Sequence, residues 1–477
     1  MNLMKKYIIN LILLNSIIFW GCKTPEILSK SKAKKIPQFF TETKDSSNSA
    51  DIKWKDYFED KSLINLIDTG IKNNFDALMT LQKIEIARND LRLSKGAMIP
   101  IVNSNFAYLQ RKFGYYTMDD AGNRTTEITP GRIIPSNLPD YFMGLQTSWE
   151  LDLLGKLGNK KKAAFSRYLS SMEGSNLVIT NLISEIATSY YELIALDNEL
   201  DIIRETIKLQ QNALEIIKIQ KEEGAANQLA VKQFEAEVWN SQSLEFETIQ
   251  QIAIYENKIN FLLGRYPQSI IREKTNFASQ IPKQIKVGLP SQLLRNRPDI
   301  KQAEYELLAT NFDVKVANAA FYPSFNITGF VGLQAFKTSF LFTSPQSIAY
   351  NLLGNLTTPL LNRSVIKAQF NYAKSNQIDA MLNYQKTILN GYVEVSNELI
   401  NIKNLESLQD SKSKEVKALT ESIEISKDLF KSGGASYFEV IMVQNKTLQS
   451  KLELINSKKQ QFIATINIYK ALGGGWR

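Results

Sequence analysis

The sequence predicts a mainly α chain with membrane β, built as two repeats of a strand pair followed by a long antiparallel coiled-coil hairpin. Three observations predict it. From Ser364 to Phe430, with no proline, apolar or small side chains recur every three to four positions, through Ile366, Phe370, Met381, Ile388, Leu399, Leu405 and Ile423. From Tyr141 the chain instead alternates strictly, with Tyr141, Met143, Leu145, Thr147, Trp149 and Leu151 against Phe142, Gly144, Gln146, Ser148, Glu150 and Asp152. Both patterns occur twice: Gly433 answers Gly224 at a distance of 209 residues, and Leu356–Arg363 answers Trp149–Lys156 at 207. A repeat of that length is a structural duplication.

The first pattern has the period of an α-helix with one buried seam, and its length implies a coiled coil. At about 1.5 Å per residue the helix reaches on the order of 100 Å. Lys431-Ser432-Gly433-Gly434 supplies the reversal, and a second helix returns through Val440, Leu448, Ile455, Phe462 and Ile466 to Leu472. The first repeat has the same plan: a helix from Leu157 to Glu222, a turn at Gly224-Ala225-Ala226, and a return through Phe234, Val238 and Ile259 to Gly264.

The second pattern is a strand with one apolar and one polar face. A partner starts at Ile101, with Val102, Phe106 and Tyr108 opposed to Asn103, Asn105 and Arg111. In the second repeat Phe325, Ile327, Val331 and Leu333 alternate with Asn326, Thr328 and Gln334, and Ile348, Tyr350, Leu352 and Leu356 with Ser347, Asn351 and Asn355. Such strands suit a transmembrane barrel, and also the half-buried sheet of a soluble protein. Four strands cannot close a membrane barrel, since an open edge in lipid leaves backbone groups unpaired. If they cross a membrane, several chains share one barrel. Thr117–Asp140 and Lys337–Gln346 are expected to be external loops.

Residues 1–21 read as a signal peptide: Lys5-Lys6, then an apolar run from Tyr7 to Trp20 that is short for a membrane span. It ends at Gly21-Cys22, the only cysteine, in a setting that resembles a bacterial lipobox, where the thiol is acylated after cleavage. Phe19 and Trp20 depart from the usual upstream residues. Residues 22–53 read as a lipidated tether, and a helix is expected from Ser62 to Lys95. The first repeat spans 54–264 (strand pair 101–153, hairpin 157–264), a linker 265–288, and the second repeat 289–477 (helix 298–320, strand pair 324–360, hairpin 364–472).

Among 477 residues there is no histidine, which removes the usual Ser-His-Asp and Cys-His arrangements, and no metal or cofactor motif stands out. The glycine-rich string Gly473-Gly474-Gly475 lacks the lysine of a phosphate cradle. The net charge of +9 comes from lysines interspersed with glutamates, not from a basic cluster with aromatics, so nucleic acid is not an expected partner.

Leu289-Pro290-Ser291-Gln292-Leu293-Leu294-Arg295-Asn296-Arg297-Pro298-Asp299-Ile300 and the ending Tyr469-Lys470-Ala471-Leu472-Gly473-Gly474-Gly475-Trp476 resemble motifs of the TolC-like outer-membrane efflux proteins, as does Ala319–Ser324. The likeness is to their lipid-anchored branch serving resistance-nodulation-division pumps, with Asn296 in place of an arginine. The resemblance implies a homotrimer with a twelve-stranded barrel in the outer membrane and a periplasmic helical tunnel, and as partners an adaptor protein and an inner-membrane pump. It implies small-molecule efflux with no cofactor and no catalysis. In that family an acidic residue six positions after the tip glycine lies near the constriction. Here this is Glu439; a second acid is replaced by Met442, and the first repeat carries Ala230. Phe430 becomes an aromatic companion at the closed tip, and Gly224-Ala225 and Gly433-Gly434 become adaptor-facing turns. Other readings are a duct for protein secretion, a periplasmic adaptor lipoprotein, which would carry one hairpin rather than two, and a soluble coiled-coil scaffold, which leaves the strands unexplained.

Overall fold

The computed structural model describes residues 37–40, 47–272, 277, 286–359 and 361–477. The signal peptide, Cys22, much of the tether and much of the linker lie outside the described residues.

In chain order the elements are α1 (Trp54–Tyr57), α2 (Lys61–Asn73), α3 (Phe75–Gly96), β1 (Ile101–Lys112), α4 (Met118–Thr125), β2 (Glu127–Thr129), β3 (Arg132–Ile133) and β4 (Asn137–Leu151). The first long hairpin follows as α5 (Lys156–Glu222) and α6 (Gln228–Leu262), then α7 (Leu293–Asn296), α8 (Pro298–Ala319), β5 (Ser324–Ala335), α9 (Thr338–Leu341) and β6 (Ile348–Thr357). The second hairpin, α10 (Arg363–Lys431) and α11 (Tyr437–Ala471), completes the chain. Among the described residues no helix is long and apolar enough to cross a membrane.

Two compact units emerge, and each takes residues from both repeats. The sheet unit holds Ala87–Tyr168 and Glu306–Met381. Its sheet runs β1-β4-β5-β6, antiparallel throughout. The β4–β5 ladder joins the two repeats, with Trp149 opposite Ile327 and Leu145 opposite Val331. Beside the sheet, Val314, Phe370 and Ala373 form a small core, and Arg167 pairs with Asp313 and Glu306. The first expected loop, Thr117–Asp140, is more ordered than its glycine-, asparagine- and threonine-rich composition suggests. It folds α4 and the β2–β3 hairpin, and the Arg124 guanidinium sits 3.8 Å from the Tyr115 ring centre.

The helical unit holds the described residues up to Ile86, with Leu169–Tyr305 and Leu382–Arg477. Its main core joins α2, α5 and α11 through Leu63, Ile67, Ile183, Ile186, Tyr190, Phe462 and Ile466. Burying each such side chain contributes about 1.5–3 kcal/mol. Tyr57 stacks on Tyr469 at 3.9 Å between ring centres and donates its hydroxyl to the Thr465 carbonyl at 2.8 Å. Phe462 stacks on Tyr191 and on Phe277. Arg272 holds the start of the linker, donating to Asp197 of α5 and, at 2.6 Å, to Glu256 of α6.

One expected helix is two. The run from Ser62 to Lys95 breaks at Asn74, whose backbone turns extended (ψ 129°). Its Oδ1 accepts from the Ala77 amide at 3.0 Å, capping α3, and its Nδ2 donates to the Leu262 carbonyl at 3.0 Å.

Candidate functional site

The first candidate surface is the sheet. β1 pairs with β4 alone and β6 with β5 alone, so among the described residues each outer strand leaves one backbone edge unpaired. One face carries the row Phe106, Met143, Leu333, Ile348, and beside it Ser104, Leu145, Val331, Tyr350. Phe106 is 70% exposed, Tyr350 81% and Leu352 78%, a broad apolar face that nothing among the described residues covers. The opposite face carries Asn103, Gln146, Phe330 and Asn351 in one row, and Glu150, Asn326 and Asn355 in another. Its charges are partnered: Glu150 with Lys156 at 2.9 Å, and Asp140 with Arg111 at 3.4 Å and with the Gln334 amide at 2.8 Å.

The second surface is the pair of hairpin tips. Both turns close as Schellman caps. The Ala225 amide donates to the Gln220 carbonyl at 2.7 Å and the Gly434 amide to Leu429 at 2.8 Å. Gly224 and Gly433 occupy the left-handed region, at φ 78° and 77°, where a Cβ costs energy. Helix restarts differ. Asn227 caps α6 by accepting from the Ala230 amide at 2.9 Å. At the matching place in α11, Glu439 reaches back, its Oε2 accepting from the Ser436 amide at 2.6 Å and from the Ser436 hydroxyl at 3.2 Å. Glu439 and Met442 are exposed, whereas Ala230 is fully buried. Half-buried Phe430 packs with Ile441 and Tyr437 against Ile217, Ala230, Val231 and Phe234, so the two tips of one chain share a small apolar cluster. Small Ala230 stands within this cluster in the position that Glu439 fills in the second repeat.

The two sequence motifs meet in the helical unit. Arg297 is buried, and its guanidinium grips Asp299 through two nitrogens at 2.7 and 3.0 Å. Its Nη1 also donates to Glu394 of α10 at 2.6 Å and to the Ala471 carbonyl at the end of α11 at 2.8 Å. Gly473 (φ 91°) lets the chain lie against Asn296, where an added Cβ would stand 2.5 Å from the backbone carbon. The Trp476 indole then donates to the Asn296 carbonyl at 3.1 Å. Both motifs are thus structural, a clamp of helix ends, and no sequence periodicity signals that they touch. Among the described residues no group of three acidic, histidine or cysteine side chains is placed to hold a metal ion.

An open sheet with a lipid-compatible face, and two helical hairpins built alike, define a subunit of a membrane channel. The chain belongs to the outer membrane efflux protein family, whose model matches residues 120–265 and 289–474. It is an outer-membrane efflux channel component. It is 27% identical over 447 residues to a probable outer membrane lipoprotein, SilC, of Salmonella typhimurium, covering 92% of this chain and 93% of that one. It is 26% identical over 435 residues to the toluene efflux pump outer membrane protein TtgI of Pseudomonas putida, covering 89% and 87%. Among solved structures, that of the channel CusC superposes with a TM-score of 0.81 at 25% identity, over 94% of this chain and all of that one.

Proposed function

We propose that three copies of this chain assemble into the outer-membrane exit duct of a tripartite pump. The duct passes small toxic molecules outward from a periplasmic adaptor and an inner-membrane pump, and does no chemistry of its own. The observation that carries this reading is the sheet open at both edges. In lipid an unpaired backbone edge is costly, so β1 of one copy pairs with β6 of the next, and three copies of four strands make twelve. The apolar face meets lipid and the amide-rich face lines the bore. The name of the relative SilC supports acylation at Cys22, while the relatives' names span organic and ionic cargo, toluene for TtgI and cations for the CusC efflux proteins.

In this reading the turns at Gly224-Ala225 and Gly433-Gly434 face the adaptor. Three Glu439 carboxylates, with Met442 one turn on, give the tip a cation-attracting ring, and Phe430 holds the tip together. The test is the mass of the particle extracted in detergent from the membrane fraction. Three chains of 54.2 kDa less the cleaved leader are expected. A monomer in the soluble fraction would end the proposal.

A further inference from the structure

On the amide-rich face of the sheet stand two phenylalanines, Phe142 of β4 and Phe330 of β5. Register places them diagonally around one pair of facing glycines: Phe142 opposite Gln334, Gly144 opposite Gly332, and Gln146 opposite Phe330. The glycines permit an unusually close approach, because a Cβ on either would lie 2.6 Å from the other's Cα. Over that floor the rings lean together, their centres 5.1 Å apart and their planes at 80°, an edge-to-face pair. Neighbouring positions on this face mix amides and hydroxyls, Asn105, Ser148 and Thr328, with the small Ala107 and Ala349 and with Leu353.

From this arrangement we propose that Phe142 and Phe330 form an apolar shelf inside the bore, a contact site for the aromatic part of amphipathic solutes in transit. The inference rests on the proposal that the amide-rich face lines the bore, because only a solute within it can then reach the rings. The site is built for such a solute. Two half-buried rings offer edges and faces to an aromatic group; of the paired amides, Gln334 donates to Asp140 and Gln146 accepts from Asn105, which leaves the Gln334 carbonyl and the Gln146 NH2 for its polar substituents. A charge-lined bore would favour ions, whereas this shelf favours flat organic molecules. Three copies place three shelves around one passage.

The test is block of single channels in planar bilayers by tetraphenylphosphonium, compared with tetrabutylammonium of the same charge. The native channel is expected to be blocked by the aromatic ion at about tenfold lower concentration. Replacing both rings, F142Q with F330Q, should abolish that preference while ion conductance persists, and F142L with F330L should remove most of it. Channels that conduct normally but show equal block by the two ions, in the native protein or unchanged in the variants, would overturn the shelf and leave the duct intact. If the glutamine pair fails to assemble, the leucine pair and the native comparison decide. Absence of any channel from the native protein would instead overturn the duct reading.

Discussion

The Nη1 of Arg297 lies 2.6 Å from Glu394 Oε2 and also donates to the carbonyl of Ala471, the last residue of α11. One buried cation thereby ties the start of α8 to α10 and to the end of α11. Its side chain is 8% exposed, so its desolvation is offset only while its three partners stay in place. Replacing Arg297 by alanine is expected to cost about 1.5–3 kcal/mol, because half-buried Asp299 and the Ala471 carbonyl lose their donor, while Glu394, 42% exposed, is resolvated. Lysine should recover little, since it cannot form the two-nitrogen grip on Asp299. Urea unfolding followed by helical circular dichroism checks this; an R297K midpoint equal to the native one would contradict the clamp.

The tip turns make a contrast between adjacent glycines. Gly433 has φ 77°, and alanine there should cost about 1 kcal/mol of local stability. Gly434 corresponds to Ala225 in the first repeat. An added Cβ would lie 3.3 Å from Leu429 Cδ2, a contact that a small rotation relieves. Hydrogen exchange across 425–440 should therefore quicken in G433A and change little in G434A. Equal effects would show that the left-handed turn does not set tip stability.

Glu439 has two separable properties, a cap and a charge. Glutamine preserves the hydrogen bond to the Ser436 amide but removes the charge, so E439Q should keep tip protection while lowering cation over anion selectivity in planar bilayers. Alanine removes both and should in addition cost about 0.5–1.5 kcal/mol, the worth of the lost hydrogen bond to the Ser436 amide. An unchanged reversal potential in E439Q would place this carboxylate away from the conducting path.

Much of the fold was legible because two periods do not mix: helices repeat every 3.6 residues and strands every two, and each long element follows one of them. The turns at Gly224 and Gly433 were legible as well, since few residues other than glycine tolerate a left-handed cap. What stayed hidden depends on contacts distant in sequence. The break at Asn74 is fixed by the Leu262 carbonyl, 188 residues away, in a stretch without glycine or proline at that point. The pairing of β4 with β5 joins the two repeats across about 170 residues, and only that register brings Phe142 over the glycines to Phe330. Arg297 was visible as a motif, but its partners Glu394 and Ala471 were not.

The most direct measurement of the central claim is disulfide capture across the free edges. Within one chain β1 and β6 are separated by two strands, about 14 Å, too far for a disulfide. A chain carrying Asn105→Cys in β1 and one cysteine scanned along 348–357 of β6 should give, on oxidation in the membrane, covalently closed trimers at one register and its neighbours. Chains that remain monomeric at every scanned position, while both cysteines stay reactive, would contradict the shared barrel.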